Sequence, residues 1–289
     1  MQNDKEYKSS IEIERQLIKK YKPTLFSPFI HALQDFDMIK EGDKIAVCIS
    51  GGKDSMLLAK LMQEVQKHGK YKFEIVFLCM NPGYNKKNLE KIKENANILD
   101  ISLQFFSSNI FEAVQSVDKS PCYLCARMRR GYLYAKAKEL GCNKIALGHH
   151  FNDVIETVLV SMLYGAEIKT MMPKIISKNF EGMELIRPMY YIKEDDIIKW
   201  AKNNNLEFIN CACKFTEMVS NGENQSKRKE IKELIKNLKK DNPNVDINIL
   251  RSTIGVNVDT LIGYKKDNVE YNFLDLYNEK LKNKNNKDV

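Results

Sequence analysis

Two adjacent glycines near residue 50 separate an apolar run from a run with helical periodicity. Residues 50 to 55 are Ser50-Gly51-Gly52-Lys53-Asp54-Ser55. Paired glycines let the backbone approach an anion closely, and the first N–H groups of a helix favour negative charge at the same place. The segment therefore predicts a phosphate-binding turn, and its spacing differs from both Walker A and G-x-G-x-x-G.

Two cysteines with the spacing of metal ligands form a second candidate site. They lie in Pro121-Cys122-Tyr123-Leu124-Cys125, and Arg127, Arg129 and Arg130 follow them. Two thiolates spaced C-x-x-C can hold one soft metal centre, and adjacent arginines lower the pKa of a thiol. The same spacing also suits a redox pair or half of a zinc site, so the motif alone leaves these roles open.

Cys211 and Cys213, far along the chain, are candidates for a third ligand. Three cysteines on an iron–sulfur cluster leave one iron without a protein thiolate, whereas four close the site, as structural zinc prefers. The chain has seven cysteines, an odd number, and we expect it to be cytosolic. Metal or redox use is therefore favoured over a disulfide framework.

A glycine, two histidines and an aspartate form a third candidate site between a predicted strand and a predicted helix. Residues 148 to 157 are Gly148-His149-His150-Phe151-Asn152-Asp153-Val154-Ile155-Glu156-Thr157. We expect Asn152 or Asp153 to cap the helix, while the imidazoles and Asp153 are able to bind phosphate, metal or substrate. An isolated segment of this kind is more often a capped helix with surface histidines. Its co-occurrence with the glycine turn favours the functional interpretation.

Short apolar runs alternate with helix-patterned runs along most of the chain. The predicted strands are Lys44–Ile49, Glu74–Met80, Leu103–Phe106, Lys144–Gly148, Glu184–Arg187 and Leu206–Ile209. The predicted helices are Ser55–His68, Lys86–Asp100, Ala126–Leu140, Asp153–Tyr164, Lys193–Asn204 and Gln225–Lys240. This alternation predicts an α/β fold with a parallel sheet covered on both faces. Ligands of such sheets bind at the carboxyl ends of the strands, where the first and third candidate sites would meet.

Composition is that of an ordinary globular protein. The chain has 289 residues, of which 43% are hydrophobic and 29% charged, and its net charge is +8. The positive charge suits a polyanionic partner without proving one. No apolar stretch approaches the roughly 18 residues of a membrane span, so we expect a cytoplasmic protein with no membrane partner.

Taken together, the three segments resemble the tRNA 2-thiocytidine synthetases, the TtcA type of PP-loop thiolation enzyme. The resemblance runs from about residue 43 to about residue 215. It includes Cys-x-x-Cys-Ala-Arg-x-Arg-Arg-Gly at 122–131, Lys-Ile-Ala-Leu-Gly-His-His at 144–150 and Arg-Pro-Met at 187–189. The glycine turn likewise resembles the S-G-G-x-D-S pyrophosphate loop of ATPases that split ATP between the α and β phosphates.

The resemblance implies a HUP-type PP-loop ATPase that carries a [4Fe–4S] cluster on three cysteines and acts on tRNA. Such an enzyme transfers AMP to a cytidine C2 carbonyl and replaces that oxygen with sulfur, which the open iron of the cluster would deliver. The sulfur comes from a cysteine desulfurase or from sulfide. A homodimer is one of the assemblies in which such an enzyme could act.

The resemblance also implies roles for individual residues. Ser50, Gly51, Gly52 and Ser55 would hold the pyrophosphate, Lys53 would offset charge during attack, and Asp54 would help to place Mg²⁺. Gly148 and His149 would contact the nucleotide, and Asp153 would position Mg²⁺ or substrate. The cluster ligands would be Cys122, Cys125 and Cys211.

This chain departs from the family pattern at two places. The family usually has C-x-x-C where this chain has Cys211-Ala212-Cys213, so Cys213 remains an alternative third ligand. Asn152 stands where an aspartate is usual, which questions any carboxylate role at that position.

Two other functions stay open. One is another PP-loop tRNA modifier, although 2-thiouridine synthetases usually bring extra zinc-binding C-x-x-C pairs and lysidine synthetases need no cysteine triad. The other is a nucleotide-binding iron–sulfur sensor without transfer chemistry.

For several other residues the sequence favours a structural interpretation over a functional one. Cys48 and Cys79 lie in apolar strands and Cys142 follows Gly141, a predicted helix C-cap, so we expect all three cysteines to be structural. The basic residues of the last predicted helix fit a solvated face at least as well as an RNA-binding face. Arg127, Arg129 and Arg130 are better candidates for RNA contacts.

Three segments are predicted. Residues 1–42 form an N-terminal helical segment, residues 43–224 the PP-loop ATPase domain with the cluster-binding cysteines, and residues 225–289 a basic helical segment with a disordered tail.

Overall fold

The computed structural model describes residues 7–108, 110, 121–209, 223–275 and 277–278. Within these ranges the side chains of residues 121–123, 125–126 and 223–226 are not described. The chain divides into two compact units, Met1–Leu234 and Ile235–Val289. The predicted segment boundaries at residues 42 and 224 stay predictions.

A six-stranded sheet forms the centre of the first unit. In chain order its strands are β1 (Lys44–Ile49), β2 (Glu74–Asn81), β3 (Leu103–Ser107), β4 (Lys144–Ala146), β5 (Lys174–Ile176) and β6 (Glu184–Ile186). Their order across the sheet is β3-β2-β1-β4-β6-β5, and every neighbouring pair is parallel except β5 with β6. The predicted α/β fold class, with a mainly parallel sheet, is confirmed.

Helices lie before, between and after the strands. They are α1 (Ser10–Ile18), α2 (Ser27–Asp35), α3 (Lys53–His68), α4 (Lys86–Ile98), α5 (Pro121–Glu139), α6 (Phe151–Gly165), α7 (Glu194–Asn203) and α8 (Glu223–Asp241), with a short π-helix at Lys22–Phe26. Helix α8 begins in the first unit and ends in the second. None of the described helices combines the length and apolar character needed to cross a membrane.

Strand β1 shows why both faces of the sheet are covered. Ile45, Val47 and Ile49 belong to a large buried cluster that includes Leu57 of α3 and Trp200 of α7. The alternate residues Ala46 and Cys48 belong to a second buried cluster on the other face, with Tyr134 and Ala137 of α5. Successive side chains of a strand point to opposite faces, so a strand buried on both faces reads as one continuous apolar run.

The strand order reverses direction next to β1. The chain passes from β1 outward to β2 and β3, then returns to place β4 on the other side of β1. In open sheets of this type a crevice opens at such a switch point, outside the carboxyl ends of the strands. The turn after β1 and the turn after β4 therefore face the same crevice.

The predicted strand Leu206–Ile209 is wrong, because these residues form no strand. Its apolar side chains are used for packing: Leu206 is buried, and the Phe208 ring stacks on Trp200 with ring centroids 6.2 Å apart. The backbone is held by a side chain instead of a neighbouring strand, since the Asn95 amide donates to the Glu207 carbonyl at 2.9 Å. A short apolar run alone does not distinguish these two uses.

Strand β5 was not predicted from the sequence. It has three residues, pairs with β6 at the edge of the described sheet, and leaves Ile175 and Ile176 exposed. A strand this short and this exposed carries no alternation of apolar and polar residues from which to predict it.

The described part of the second unit contains α9 (Val245–Ser252), a 3₁₀ turn at Val258–Thr260 and a hairpin of β7 (Gly263–Lys266) with β8 (Val269–Asn272). Tyr264 and Tyr271 stack across the hairpin with ring centroids 4.7 Å apart. The predicted disordered tail, residues 279–289, lies outside the described residues.

Candidate functional site

The predicted phosphate-binding turn connects β1 to α3 and is braced by its two serines. The Ser50 backbone N–H donates to Ser55 Oγ at 3.1 Å, and the two hydroxyl oxygens are also 3.1 Å apart. The Ser55 hydroxyl donates to the Gly52 carbonyl at 3.0 Å, and the Gly52 N–H reaches Ser50 Oγ at 3.4 Å. These bonds fix the turn at the N-terminal end of α3, where a helix favours an anion.

Gly51 and Gly148, one in each turn, leave less room than a side chain normally has. Gly51 has φ +85°, and a Cβ on it would lie 2.5 Å from Ile92 Cγ1. A Cβ on Gly148, in the turn after β4, would lie 3.1 Å from the Ser55 backbone nitrogen and from the Asp54 carbonyl carbon. The two turns therefore pack backbone to backbone, as the predicted meeting of the first and third candidate sites requires.

A chain of ion pairs runs from the phosphate turn to two other helices. Lys53 Nζ lies 3.1 Å from Asp54 Oδ1 and 3.3 Å from Glu194 Oε1, at the start of α7. The second oxygen of Glu194 pairs with Lys232 of α8. Burial alone would raise the pKa of Glu194, but the hydrogen bond from Lys232 and the charge of Lys53 outweigh it and hold that pKa below its usual range.

Two carboxylates face His150, which is buried between them. His150 Nε2 lies 3.9 Å from Asp54 Oδ1, and His150 Nδ1 lies 3.5 Å from Asp153 Oδ2. Asp153 also pairs with Arg228 of α8, whose Nη1 is 3.6 Å from Asp153 Oδ1. Asp54 and Asp153, distant in sequence, are thus brought to one place.

Helix α6 begins one residue after His150, so the predicted cap at Asn152 is wrong, whereas the Asp153 side chain does take part in the cap, in a capping box with His150. His150 is the cap residue, and Asp153 lies at the third helical position, where its carboxylate accepts the His150 backbone N–H at 3.0 Å. The Asn152 side chain instead accepts the Glu194 backbone N–H at 3.0 Å. This bond ties the start of α7 to the start of α6.

His149 and Arg187 follow neighbouring strands, because β4 and β6 pair Ala146 with Ile186. Burial lowers the pKa of His149 to about 4, and the charge of Arg187 acts in the same direction. Burial also lowers the pKa of Arg187 to about 10. The Arg187 guanidinium donates to the Met172 carbonyl, and no carboxylate of a described residue lies within 4.0 Å of it.

Glu156, one turn beyond Asp153, is a second buried carboxyl group in this region. Burial, and then the nearby Asp153 carboxylate, raise the pKa of Glu156 to about 7. Glu156 therefore changes charge near neutral pH, unlike an exposed glutamate.

The cysteine positions are only partly described. Positions 122 and 125 lie in the first turns of α5, three residues apart and hence on one side of the helix, but their side chains are outside the described set. Residues 210–222, which include Cys211 and Cys213, are also outside it. Ile209, the last residue described before them, lies against the phosphate turn, with its Cδ1 2.8 Å from a Cβ built on Gly51.

The three cysteines assigned to the core are buried and free. Burial raises the pKa of Cys48 and of Cys79 to about 12, which keeps both thiols protonated. Cys142 is also buried, directly after Gly141 with φ +74°. Among the described side chains, no group of three His, Cys, Asp or Glu residues is placed to hold a metal ion.

Sequence reasoning missed Glu194, Arg228, Lys232 and Glu156 as residues of the crevice. Glu194 lies about 140 residues from Lys53, with which it pairs, and no local pattern marks it. Arg228 and Lys232 belong to the helix that was interpreted as a solvated face at least as readily as an RNA-binding one. Arg187 had one signal, its place in the Arg-Pro-Met segment of the family resemblance.

Comparison with known proteins agrees with this geometry. The PP-loop domain family matches residues 13–238. A tRNA-cytidine(32) 2-sulfurtransferase of Coxiella burnetii is 36% identical over 240 residues, which cover 81% of this chain and 90% of that protein. The chain belongs to this PP-loop sulfurtransferase family. A relative of the same name from Geotalea uraniireducens is 34% identical over 229 residues, covering 78% of this chain and 88% of that protein.

A solved structure shows the same fold. The U34-tRNA thiolase NcsA from Methanococcus maripaludis, determined with its [4Fe-4S] cluster, matches with a TM-score of 0.62 and 20% sequence identity. The match covers 86% of this chain and 83% of that one. At this identity the likeness establishes the fold alone.

We predict that Gly51→Ala disturbs the turn by more than backbone strain. A left-handed φ costs a non-glycine residue about 1–2 kcal/mol. At Gly51 the added methyl group also meets Ile92, which should cost at least about 1 kcal/mol more. Urea unfolding measures the loss.

Gly42→Ala is the matched control, because Gly42 has φ +79° but nothing within 4 Å of its built Cβ. Equal losses of unfolding free energy in the two variants would contradict the close packing described for Gly51.

We predict that Glu156→Gln changes how stability depends on pH. The pKa of Glu156 is raised in the folded chain, so its ionisation destabilises the fold as the pH rises from about 4.5 through about 7. The glutamine variant lacks that penalty, and its melting temperature relative to the unaltered chain should increase across this interval. A difference that stays constant from pH 4.5 to pH 8 would rule out the raised pKa.

Proposed function

We propose that the chain is an ATP-dependent tRNA cytidine 2-sulfurtransferase. It transfers AMP to the C2 carbonyl oxygen of a tRNA cytidine and replaces that oxygen with sulfur. The observation that carries this proposal is the braced glycine turn, which packs against the Gly148 turn and so gathers Lys53, Asp54 and Asp153 in one crevice. The names of the relatives supply the substrate class.

The turn provides the groups that a triphosphate needs. Backbone N–H groups of Gly51 and Gly52, at the start of α3, would bind the pyrophosphate portion, and Ser50 and Ser55 hold those groups in place. Lys53 would offset the charge that builds up as the α phosphorus is attacked. Gly148 and His149 would contact the nucleotide from the opposite turn.

Asp54 and Asp153 fit a magnesium ion. Mg²⁺ is usually held by one or two carboxylates together with the phosphates of its substrate. The two carboxylates lie within 3.9 Å and 3.5 Å of the two ring nitrogens of His150, and Asp54 belongs to the phosphate turn itself. They would hold the ion that neutralises the phosphates during transfer.

A carbonyl oxygen is a poor leaving group, so it must be activated before sulfur can replace it. The C2 oxygen of the cytosine attacks the α phosphorus of ATP, the bond to the β-phosphate oxygen breaks, and pyrophosphate leaves. The C2 oxygen is then a phosphate ester, so a sulfur nucleophile can add at C2 and displace AMP together with that oxygen. Lys53 and the backbone N–H groups of the turn stabilise the charge on the departing pyrophosphate.

Cys122, Cys125 and Cys211 would hold a [4Fe–4S] cluster. Two positions on one side of the first turns of α5 suit a shared metal centre, and Ile209 brings the chain that leads to Cys211 against the phosphate turn. When bound, a cluster with three thiolate ligands supplies one iron that is open to an exogenous sulfur ligand. NcsA, of the same fold, was determined with a [4Fe-4S] cluster.

Arginines near the proposed cluster site are candidates for contacts with tRNA. Arg127 and Arg130 are exposed on α5, and Arg129 donates to the Tyr84 hydroxyl at 2.9 Å, so the exposed pair is available for RNA phosphates. The sulfur donor, the homodimer and the cytoplasmic location stay predictions.

We predict that ATP yields AMP and pyrophosphate, and only when tRNA is present. Asp54→Ala should remove this turnover, because the site loses a magnesium ligand, while the iron content should not change. Asp196→Ala is a suitable control, since Asp196 is an acidic residue of α7 whose carboxylate lies 3.3 Å from exposed Lys199. Thin-layer chromatography of labelled nucleotide separates the products. Release of ADP and orthophosphate would contradict the proposed cleavage.

We predict that anaerobically reconstituted protein binds about four irons and four sulfides per chain. Cys122→Ala and Cys125→Ala should abolish binding. Cys211→Ala should destroy sulfur transfer, and Cys213→Ala should leave most of it, because a three-thiolate cluster tolerates the loss of a bystander only.

Two results would count against the cluster. Stoichiometric zinc without iron would replace it by a structural zinc site. Equal loss of iron from the Cys211 and Cys213 variants would indicate four thiolates and no open iron.

A further inference from the structure

Helix α8 presents two cations to the crevice, four residues apart on one helical face. Arg228 pairs with Asp153 of α6 at 3.6 Å, and Lys232 pairs with Glu194 of α7. Their side chains are 52% and 54% exposed. Each cation is therefore tethered by a carboxylate while remaining open to solvent.

Separate contacts hold this part of α8 in place. Ile231, between the two cations, is 1% exposed. The Tyr164 hydroxyl donates to Glu230 Oε2 at 2.6 Å, and Lys227 Nζ lies 5.3 Å from the centroid of the Tyr164 ring. Loss of either tether would thus leave the helix packed against α6.

One of these carboxylates, Glu194, also restrains the lysine of the phosphate turn. Glu194 bridges Lys53 and Lys232, and Asp54 pairs with Lys53 as well. Three cations and three carboxylates therefore balance one another around the crevice; they are Lys53, Arg228, Lys232, Asp54, Asp153 and Glu194.

Such pairs are readily exchanged. Solvent-exposed ion pairs are worth about 0–1 kcal/mol, and the cations of these two pairs are about half exposed, whereas a polyphosphate carries several negative charges and accepts charge-assisted hydrogen bonds from lysine or arginine. A polyphosphate on the glycine turn would compete with Glu194 and Asp153 for all three cations.

We propose that Arg228 and Lys232 are polyphosphate-binding side chains, which α8 adds to the glycine turn and which Asp153 and Glu194 restrain until a nucleotide binds. The ligand is the pyrophosphate portion of a nucleoside triphosphate, so this inference rests on the proposed function. Glu194 is then a competitor of the phosphates, not a group that helps to bind them.

Isothermal titration of the full chain with ATP and with inorganic pyrophosphate tests the proposal. Arg228→Ala and Lys232→Ala should each weaken binding of both ligands about tenfold or more. Lys232→Arg should retain most of the affinity. Lys229→Ala is the control, because it removes the same charge from an exposed residue that lies about 100° around the helix from Arg228 and about 60° from Lys232, and that forms neither of the two tethering ion pairs.

The variant Glu194→Gln tests whether Lys232 binds phosphate or only neutralises the Glu194 carboxylate. It frees Lys232 and leaves Lys53 paired with Asp54 alone, so ATP and pyrophosphate should bind several-fold more tightly. If Lys232 only neutralised Glu194, the double variant Glu194→Gln/Lys232→Ala would regain the affinity of the unaltered chain, and the inference would be overturned. Melting temperatures of all variants show whether each protein is folded.

The outcomes also distinguish this inference from the proposed function. If the unaltered chain binds neither ATP nor pyrophosphate, both fail. If it binds both ligands and the Arg228 and Lys232 variants bind as tightly as the Lys229 control, only the role of α8 fails.

Discussion

The site depends on a close approach between two backbone turns. Gly148 lies so near Asp54 and Ser55 that an added Cβ would be 3.1 Å from backbone atoms of both residues. This contact joins the turn after β4 to the start of α3, and the strand order makes it possible by placing β4 directly beside β1. A Cβ at residue 148 would require one of the two turns to give by a few tenths of an ångström, which would move Asp153 and His149 relative to Lys53 and Asp54.

Ion pairs and buried ionisable groups hold the side chains of the crevice in position. Paired carboxylates and cations line the rim of the crevice, where water lowers the cost of exchanging partners. Deeper groups behave differently: Glu156 has a pKa near 7, and the Arg187 guanidinium donates to a carbonyl without a described carboxylate nearby. The crevice therefore has ion pairs at its rim that can exchange partners, and deeper side chains, Glu156 and Arg187, whose pKa values are shifted by burial.

The parts that could be predicted from the sequence are those with a local physical signature. Strand β1 is a continuous apolar run because both of its faces are buried, and the turn after it carries glycines because Gly51 has a positive φ. The pairing of Lys232 with Glu194 has no such signature, since it depends on how two distant helices pack. The strand predicted at 206–209 was wrong for a related reason. The apolar residues were evident from the sequence, but it does not show whether they pack in a strand or in an irregular segment.

The defining step of the proposed reaction is the departure, together with AMP, of the oxygen that sulfur replaces. It can be tested with tRNA in which the cytidines contain ¹⁸O at the C2 position, incubated with cluster-loaded protein, ATP and sulfide. If AMP leaves with this oxygen, the phosphate of AMP gains one ¹⁸O for each thiolated cytidine and pyrophosphate gains none, as mass spectrometry would show. Thiolated tRNA accompanied by unlabelled AMP would contradict it.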